Sequence, residues 1–139
     1  MTSRATARWT GGLKAGAGSM KPAHAQQIEF SVGSRFEGQA QSNPEEVIGA
    51  ALAGCFSMAL TLALEQAGAQ PQQVQTSAAV KLEKQGEGFA ITGIALDCVA
   101  SAKGIEGAKF EALADATKRG CPVSKALAGT TITLAARLA

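Results

Sequence analysis

The sequence predicts an α+β fold in which an antiparallel-rich sheet packs on one long, buried central helix. Three observations carry that prediction. Residues 47–64 form an apolar run whose only hydroxyl or thiol side chains are Cys55, Ser57 and Thr61, and a helix that is apolar all round has to be covered. Residues 74–83 alternate Val74, Thr76, Ala78, Val80 and Leu82 with Gln75, Ser77, Ala79, Lys81 and Glu83, the period of a half-buried strand. Strands and helices are interspersed without a regular βαβ alternation, which argues against a purely parallel sheet.

Taken in order, residues 5–9 and 27–32 read as short strands joined by a glycine-rich stretch over 11–18. The central helix has a marked start: Asn43 caps, Pro44 suits the first helical position, and Glu45 and Glu46 complement the dipole in the first turn. Its stop is Gly68, with Pro71 beyond. The alternating strand follows, and Gly86-Glu87-Gly88 turns it back into a hairpin partner over 89–99. Helices are predicted near 105–118 and from Pro122 to about Leu127, then a closing strand with Ile132, Leu134, Ala136 and Leu138 on one face. No repeat or linker interrupts this order. At 139 residues the chain is expected to form a single domain, 1–139, since separate cores need more chain.

Lys and Arg number 13 against 11 Asp and Glu, a net charge of +2, and the charges are scattered. There is no electrostatic footprint for nucleic acid or anionic lipid. The 18 residues of the apolar run reach the length at which a membrane span has to be weighed. Against it stand its Ala and Gly content, the flanking Glu45, Glu46 and Glu65, and the lack of adjacent Trp, Tyr, Lys or Arg. The expected alternative is a helix buried in a soluble core, with a second subunit helping to cover it. Arg4 and Arg8 precede no apolar stretch, so the N-terminus is not read as a secretory signal and a cytoplasmic location is expected.

Chemistry is concentrated in the cysteines. Three thiols in a reducing compartment favour transient, catalytic disulfides over structural ones. Cys55 sits halfway along the apolar helix and, taken alone, packs as a small hydrophobe with a raised pKa. Its use as a nucleophile needs a cation, and positions 51, 52, 58 and 59 supply none. Cys121 precedes Pro122 at a helix start, where the dipole favours thiolate, although a small residue fitted to a turn would read the same way. Cys98 shares a strand face with Ile94 and Leu96 and reads as core. Cys55, Cys98, Cys121 and His24 lack the spacing of a zinc site, and no phosphate loop, nucleophile elbow or CxxC occurs. Arg35, in Gly33-Ser34-Arg35-Phe36-Glu37-Gly38, is by default a surface arginine, yet an acid at the helix start could orient it as the missing cation.

The strings SNPEEVIGAALAGCFSMAL, SRFEG and GCPVSKAL together resemble the OsmC branch of the OsmC/Ohr family of osmotically inducible and organic hydroperoxide resistance proteins. The resemblance runs along most of the chain. It implies an interlocked homodimer around paired central helices and a thiol-dependent peroxidase for organic hydroperoxides and, less selectively, hydrogen peroxide. It also implies that Cys55 is the peroxidatic cysteine, Cys121 the resolving one, Arg35 the arginine that activates the thiolate and Glu45 the acid that holds it, with Glu46 the rival for that last role. No cofactor or metal is implied, only an external dithiol reductant of lipoyl type. Two other readings use the same residues: a thiol-disulfide oxidoreductase or redox sensor, and a non-catalytic small-molecule-binding member of the fold.

Helix geometry adds one constraint. Glu45 and Cys55 are ten residues apart, about 15 Å of helix at ~1.5 Å per residue. The simpler arrangement is two antiparallel central helices across a two-fold axis, so that Arg35 and Glu45 of one subunit complete the Cys55 site of the other. Small residues Gly49, Ala53 and Gly54 would allow the close approach.

Overall fold

The computed structural model describes residues 1–139. It is a mixed α+β structure of two three-stranded sheets and four helices, falling into two compact units, residues 1–47 and 48–139.

The first unit is built from β1 (Ala5–Thr10), β2 (Ala17–Pro22) and β3 (Ile28–Phe30), an antiparallel meander in the order β1-β2-β3. The glycine-rich stretch expected to be a joint therefore contains the tight turn and also the start of a strand. Gly18 explains why glycine is needed inside that strand: a Cβ there would lie 2.6 Å from the Phe30 ring and 2.7 Å from that of Trp9. Those two rings close over it with centroids 5.7 Å apart. The predicted strand over 27–32 is cut short at Phe30, because the next residues form a turn of helix, α1 (Val32–Phe36). Ser31 caps α1 by accepting from the Ser34 amide at 3.1 Å, while Ser34 Oγ accepts from the Ser31 amide at 2.9 Å, a capping box with serine at both ends.

Helix α2 (Pro44–Gln66) begins at the end of the first unit and runs into the second. Asn43 Oδ1 accepts from the Glu46 amide at 2.9 Å. The helix ends in a Schellman arrangement, with the Ala69 amide on the Leu64 carbonyl and the Gly68 amide on that of Glu65, which Gly68 permits by taking φ +81°.

In the second unit β4 (Gln70–Gln85) and β5 (Gly88–Lys103) make a long antiparallel hairpin, with Gly86 at φ +59° in the turn. Both strands run well beyond the alternating stretch that reveals them in sequence. Helix α3 (Gly107–Gly120) and the short α4 (Pro122–Ala126) then lead to β6 (Thr131–Leu138), which pairs parallel to β5. The core is the stripe Leu52, Phe56, Leu60 and Leu64 of α2, the β5 residues Ile94, Leu96, Cys98 and Ala100, and Phe110 and Ala114 of α3. Burying each large member is worth about 1.5–3 kcal/mol.

One expectation about α2 is modified. Gly49, expected to permit a close helix–helix approach, faces β4: a Cβ on it would come within 3.1 Å of Val80 Cγ2. Only one stripe of α2 is buried, while the stripe of Ala51, Gly54, Met58 and Leu62 is open, with Met58 74% and Leu62 54% exposed. By length and composition α2 could cross a membrane, with a third of its most apolar window buried inside the chain.

Candidate active site

The side chains singled out in the sequence are arranged as two pairs, one in each unit. In the first unit the short helix α1 carries Arg35 and the opening turn of α2 carries Glu45. Arg35 Nε lies 3.1 and 3.2 Å from the two Glu45 carboxylate oxygens, and its Nη2 lies 2.6 Å from Oε1. Glu45 is buried, so its carboxylate is held by a planar fork out of water, a geometry that fixes the guanidinium plane. The Phe36 ring lies 5.3 Å from the same guanidinium, within cation–π range. Glu46, the rival acid, is exposed and accepts instead from Ser42 Oγ at 2.8 Å. The anchor for the loop between them is Ser34, whose hydroxyl donates to the Ser42 carbonyl at 2.7 Å.

In the second unit Cys55, on the middle turn of α2, meets Cys121, with the two Sγ atoms 2.9 Å apart and both thiols free. Cys55 is half-buried, whereas Cys121 is only 1% exposed. Cys121 occupies a hinge position, closing α3 and opening α4: its amide donates to the Thr117 carbonyl at 2.9 Å, and its carbonyl accepts from the Lys125 amide at 3.0 Å.

The two sulfurs ionise unequally. Burial pushes the Cys55 thiol up, and its hydrogen bond with Cys121 raises it further against a smaller opposing pull from the Val123 amide. Burial works against Cys121 too, but Cys55, the backbone and hydroxyl of Ser124 and the Val123 amide outweigh it and bring Cys121 below an ordinary thiol. Of the two thiols, Cys121 is the one that its surroundings make more acidic. Within this unit the α4 amides play the part expected of a helix start.

Cys98 lies apart from this chemistry. It is fully buried on β5 opposite Thr76, its pKa raised first by burial. No group of three or more His, Cys, Asp or Glu side chains is placed to hold a metal ion. Ser124, which acts on Cys121, carries no signal in the sequence beyond its place three residues after the helix-opening Cys121, the spacing of a capping box.

A family model described as OsmC-like protein matches residues 37–135. The chain belongs to the OsmC-like family. It is 44% identical over 123 residues to Peroxiredoxin OsmC of Escherichia coli K12, covering 87% of this chain and 86% of that protein. The protein of the same name from Shigella flexneri matches equally. Among solved structures, OhrB of Bacillus subtilis, an organic hydroperoxide resistance protein, superimposes with a TM-score of 0.71 at 25% identity, covering 100% of this chain and 98% of its own. An organic hydroperoxide resistance protein from Elizabethkingia anophelis gives a TM-score of 0.77 at 23% identity, over 100% and 97% of the two chains. These likenesses agree with the mixed α+β architecture.

Proposed function

We propose that this OsmC-like protein reduces organic hydroperoxides, and hydrogen peroxide less selectively, through a Cys55–Cys121 thiol cycle recharged by an external dithiol. Its kinship with proteins named peroxiredoxin makes it a redox enzyme of the peroxidase type. The observation that carries the finer reading is the pair of free thiols 2.9 Å apart. One of them is half-buried in an apolar helix suited to an alkyl substituent, the other buried behind it.

In this cycle the Cys55 thiolate attacks the peroxide oxygen farther from the alkyl group. A sulfur–oxygen bond forms, the oxygen–oxygen bond breaks, and the departing alkoxide takes up a proton and leaves as alcohol. Cys121 then attacks the Cys55 sulfenic acid, forming the disulfide and releasing water, which protects Cys55 from further oxidation. A dithiol of lipoyl type returns two electrons through a mixed disulfide and leaves as its own disulfide.

For Cys55 to attack first, its raised pKa must be countered. The Arg35 guanidinium, oriented by Glu45, is the cation we assign to that role, and it would also stabilise the leaving oxygen. We assign it across a homodimer. The helical rise between Glu45 and Cys55, about 15 Å, favours a second copy as its source, and the open apolar stripe of α2 is a surface that a second copy would cover. Stopped-flow mixing with cumene hydroperoxide tests the proposal. Fast oxidation is expected. Slow oxidation with fast disulfide exchange would instead favour a thiol-disulfide oxidoreductase.

A further inference from the structure

Helices α1 and α4 open in the same way, with a small polar residue at the cap and a serine three residues on. In α1 the reciprocal bonds are complete: Ser34 Oγ accepts from the Ser31 amide and donates to backbone carbonyls. In α4 that geometry is blocked. The Cys121 amide is already committed to the Thr117 carbonyl, so Ser124 Oγ has no amide to accept from. The hydroxyl is nonetheless buried, with Ser124 only 6% exposed, and its oxygen makes no hydrogen bond. A buried hydroxyl left without a partner costs about 1–3 kcal/mol. One turn back along the chain, the neighbouring group on which that hydroxyl can act is the Cys121 sulfur.

We propose that the Ser124 hydroxyl is a positioning donor to Cys121 Sγ, making Cys121 the sulfur that resolves the sulfenic acid and leaves when the disulfide is reduced. This deepens the thiol-cycle reading and rests on it. Exposure agrees with that division of labour. An incoming dithiol meets the half-exposed Cys55 rather than Cys121, so its thiolate forms the mixed disulfide with Cys55. The bond to Cys121 breaks, and Cys121 departs with the electron pair as thiolate. A donor aimed at the departing sulfur stabilises it, and a leaving thiol of lower pKa leaves faster. The lowered pKa of Cys121 agrees with this, the Ser124 side chain being among its causes. Charged neighbours do not supply the effect: Lys118 and Arg119 at the end of α3 are paired with Asp115, and Lys125 of α4 is exposed. The titratable group facing Cys121 is Cys55.

The test compares Ser124→Thr, which keeps the hydroxyl, with Ser124→Val, which has nearly the same shape without it. The full-length reduced protein is labelled at cysteine 13Cβ, and each thiol is titrated by NMR. Ser124→Val should raise the Cys121 pKa by about one unit and slow reduction of the Cys55–Cys121 disulfide by dithiothreitol, while Ser124→Thr stays near wild type. If Ser124→Val does not fold, Ser124→Ala takes its place. An equal Cys121 pKa in the folded threonine and hydroxyl-free variants overturns the proposal. Neither readout requires peroxide turnover, so failure of the peroxidase reading would be seen separately.

Discussion

The two units of this chain bury their side chains to very different degrees. In residues 1–47 every residue of β1 is exposed, and the longest strand has six residues. In residues 48–139 two strands of 16 residues carry a core of fully buried Leu52, Phe56, Leu60, Leu64 and Phe110. Three short strands with little apolar cover are marginal by themselves. The chemistry follows the same line. The sparsely covered unit holds its arginine by a fork to a buried carboxylate, whereas the well-packed unit holds its thiols by apolar burial and helix-terminal amides. A cation has to be pinned by an opposite charge to stay oriented, while a thiol tolerates an apolar wall and pays for it in pKa.

The hardest test of this contrast is to remove the thiol on which the packed unit depends. Cys55→Ser should abolish peroxide turnover, while Cys121→Ser should consume about one peroxide per subunit and then stall or over-oxidise. A peroxide-consumption assay with mass spectrometry of the product shows both, and wild-type turnover by Cys55→Ser would remove the thiol pair from the mechanism.

Next in size are changes to the pinned cation. If the guanidinium has the role proposed for it, Arg35→Ala should cut turnover severely and raise the Cys55 pKa, since burial would then act on that thiol without an opposing charge. Its reactive fraction at neutral pH should fall, and the rate–pH curve should move to higher pH. Arg35→Lys keeps the charge but loses the fork that grips Glu45, and should be markedly slower than wild type. An unmoved Cys55 titration in Arg35→Ala would separate the two pairs functionally. If the pairs meet across a dimer, refolding Cys55→Ser with Arg35→Ala should recover part of the activity, and strictly zero activity in verified mixed dimers would mean each chain builds its site alone. Met58→Glu, on the open stripe of α2, should lower the assembled mass measured by sedimentation. A dimer unchanged by that charge would place the interface elsewhere.

Much of this was legible from residue order. Asn43-Pro44 and Gly68 announce both ends of α2 because caps act locally. The alternation over 74–83 announces β4 because one face packs on α2. What lay hidden depends on partners distant in sequence. β2 was masked by glycines whose purpose is to admit the Trp9 and Phe30 rings. The ends of β4 and β5 carry little alternation of their own and are held by each other's backbone. At the site, the residues that carry the family resemblance were recognisable at once. The resemblance named Glu45 as the acid for Arg35, but residue order alone did not separate it from its rival Glu46, because two carboxylates one position apart differ only in the direction in which the helix points them.

The smallest expected effect belongs to Cys98, a thiol of the packed unit outside the proposed cycle. Cys98→Ala should leave turnover nearly intact and cost about 1 kcal/mol, the scale of deleting one methylene-sized group from a core. Its signature lies in pH. Burial raises the folded-state pKa of Cys98 above that of an ordinary thiol, so as pH rises past about 8.5 the unfolded chain releases this proton while the folded chain still holds it. Stability is then lost with rising pH until the folded thiol ionises as well. Below that window the thiol is neutral in both states and contributes no slope. Melting temperatures of wild type and Cys98→Ala should therefore run parallel from pH 6 to 8 and converge above about pH 9, where wild type falls faster. Parallel curves throughout would mean that Cys98 ionises as easily inside the fold as outside, and that the core around Leu96 and Phe110 is wetter than its burial indicates.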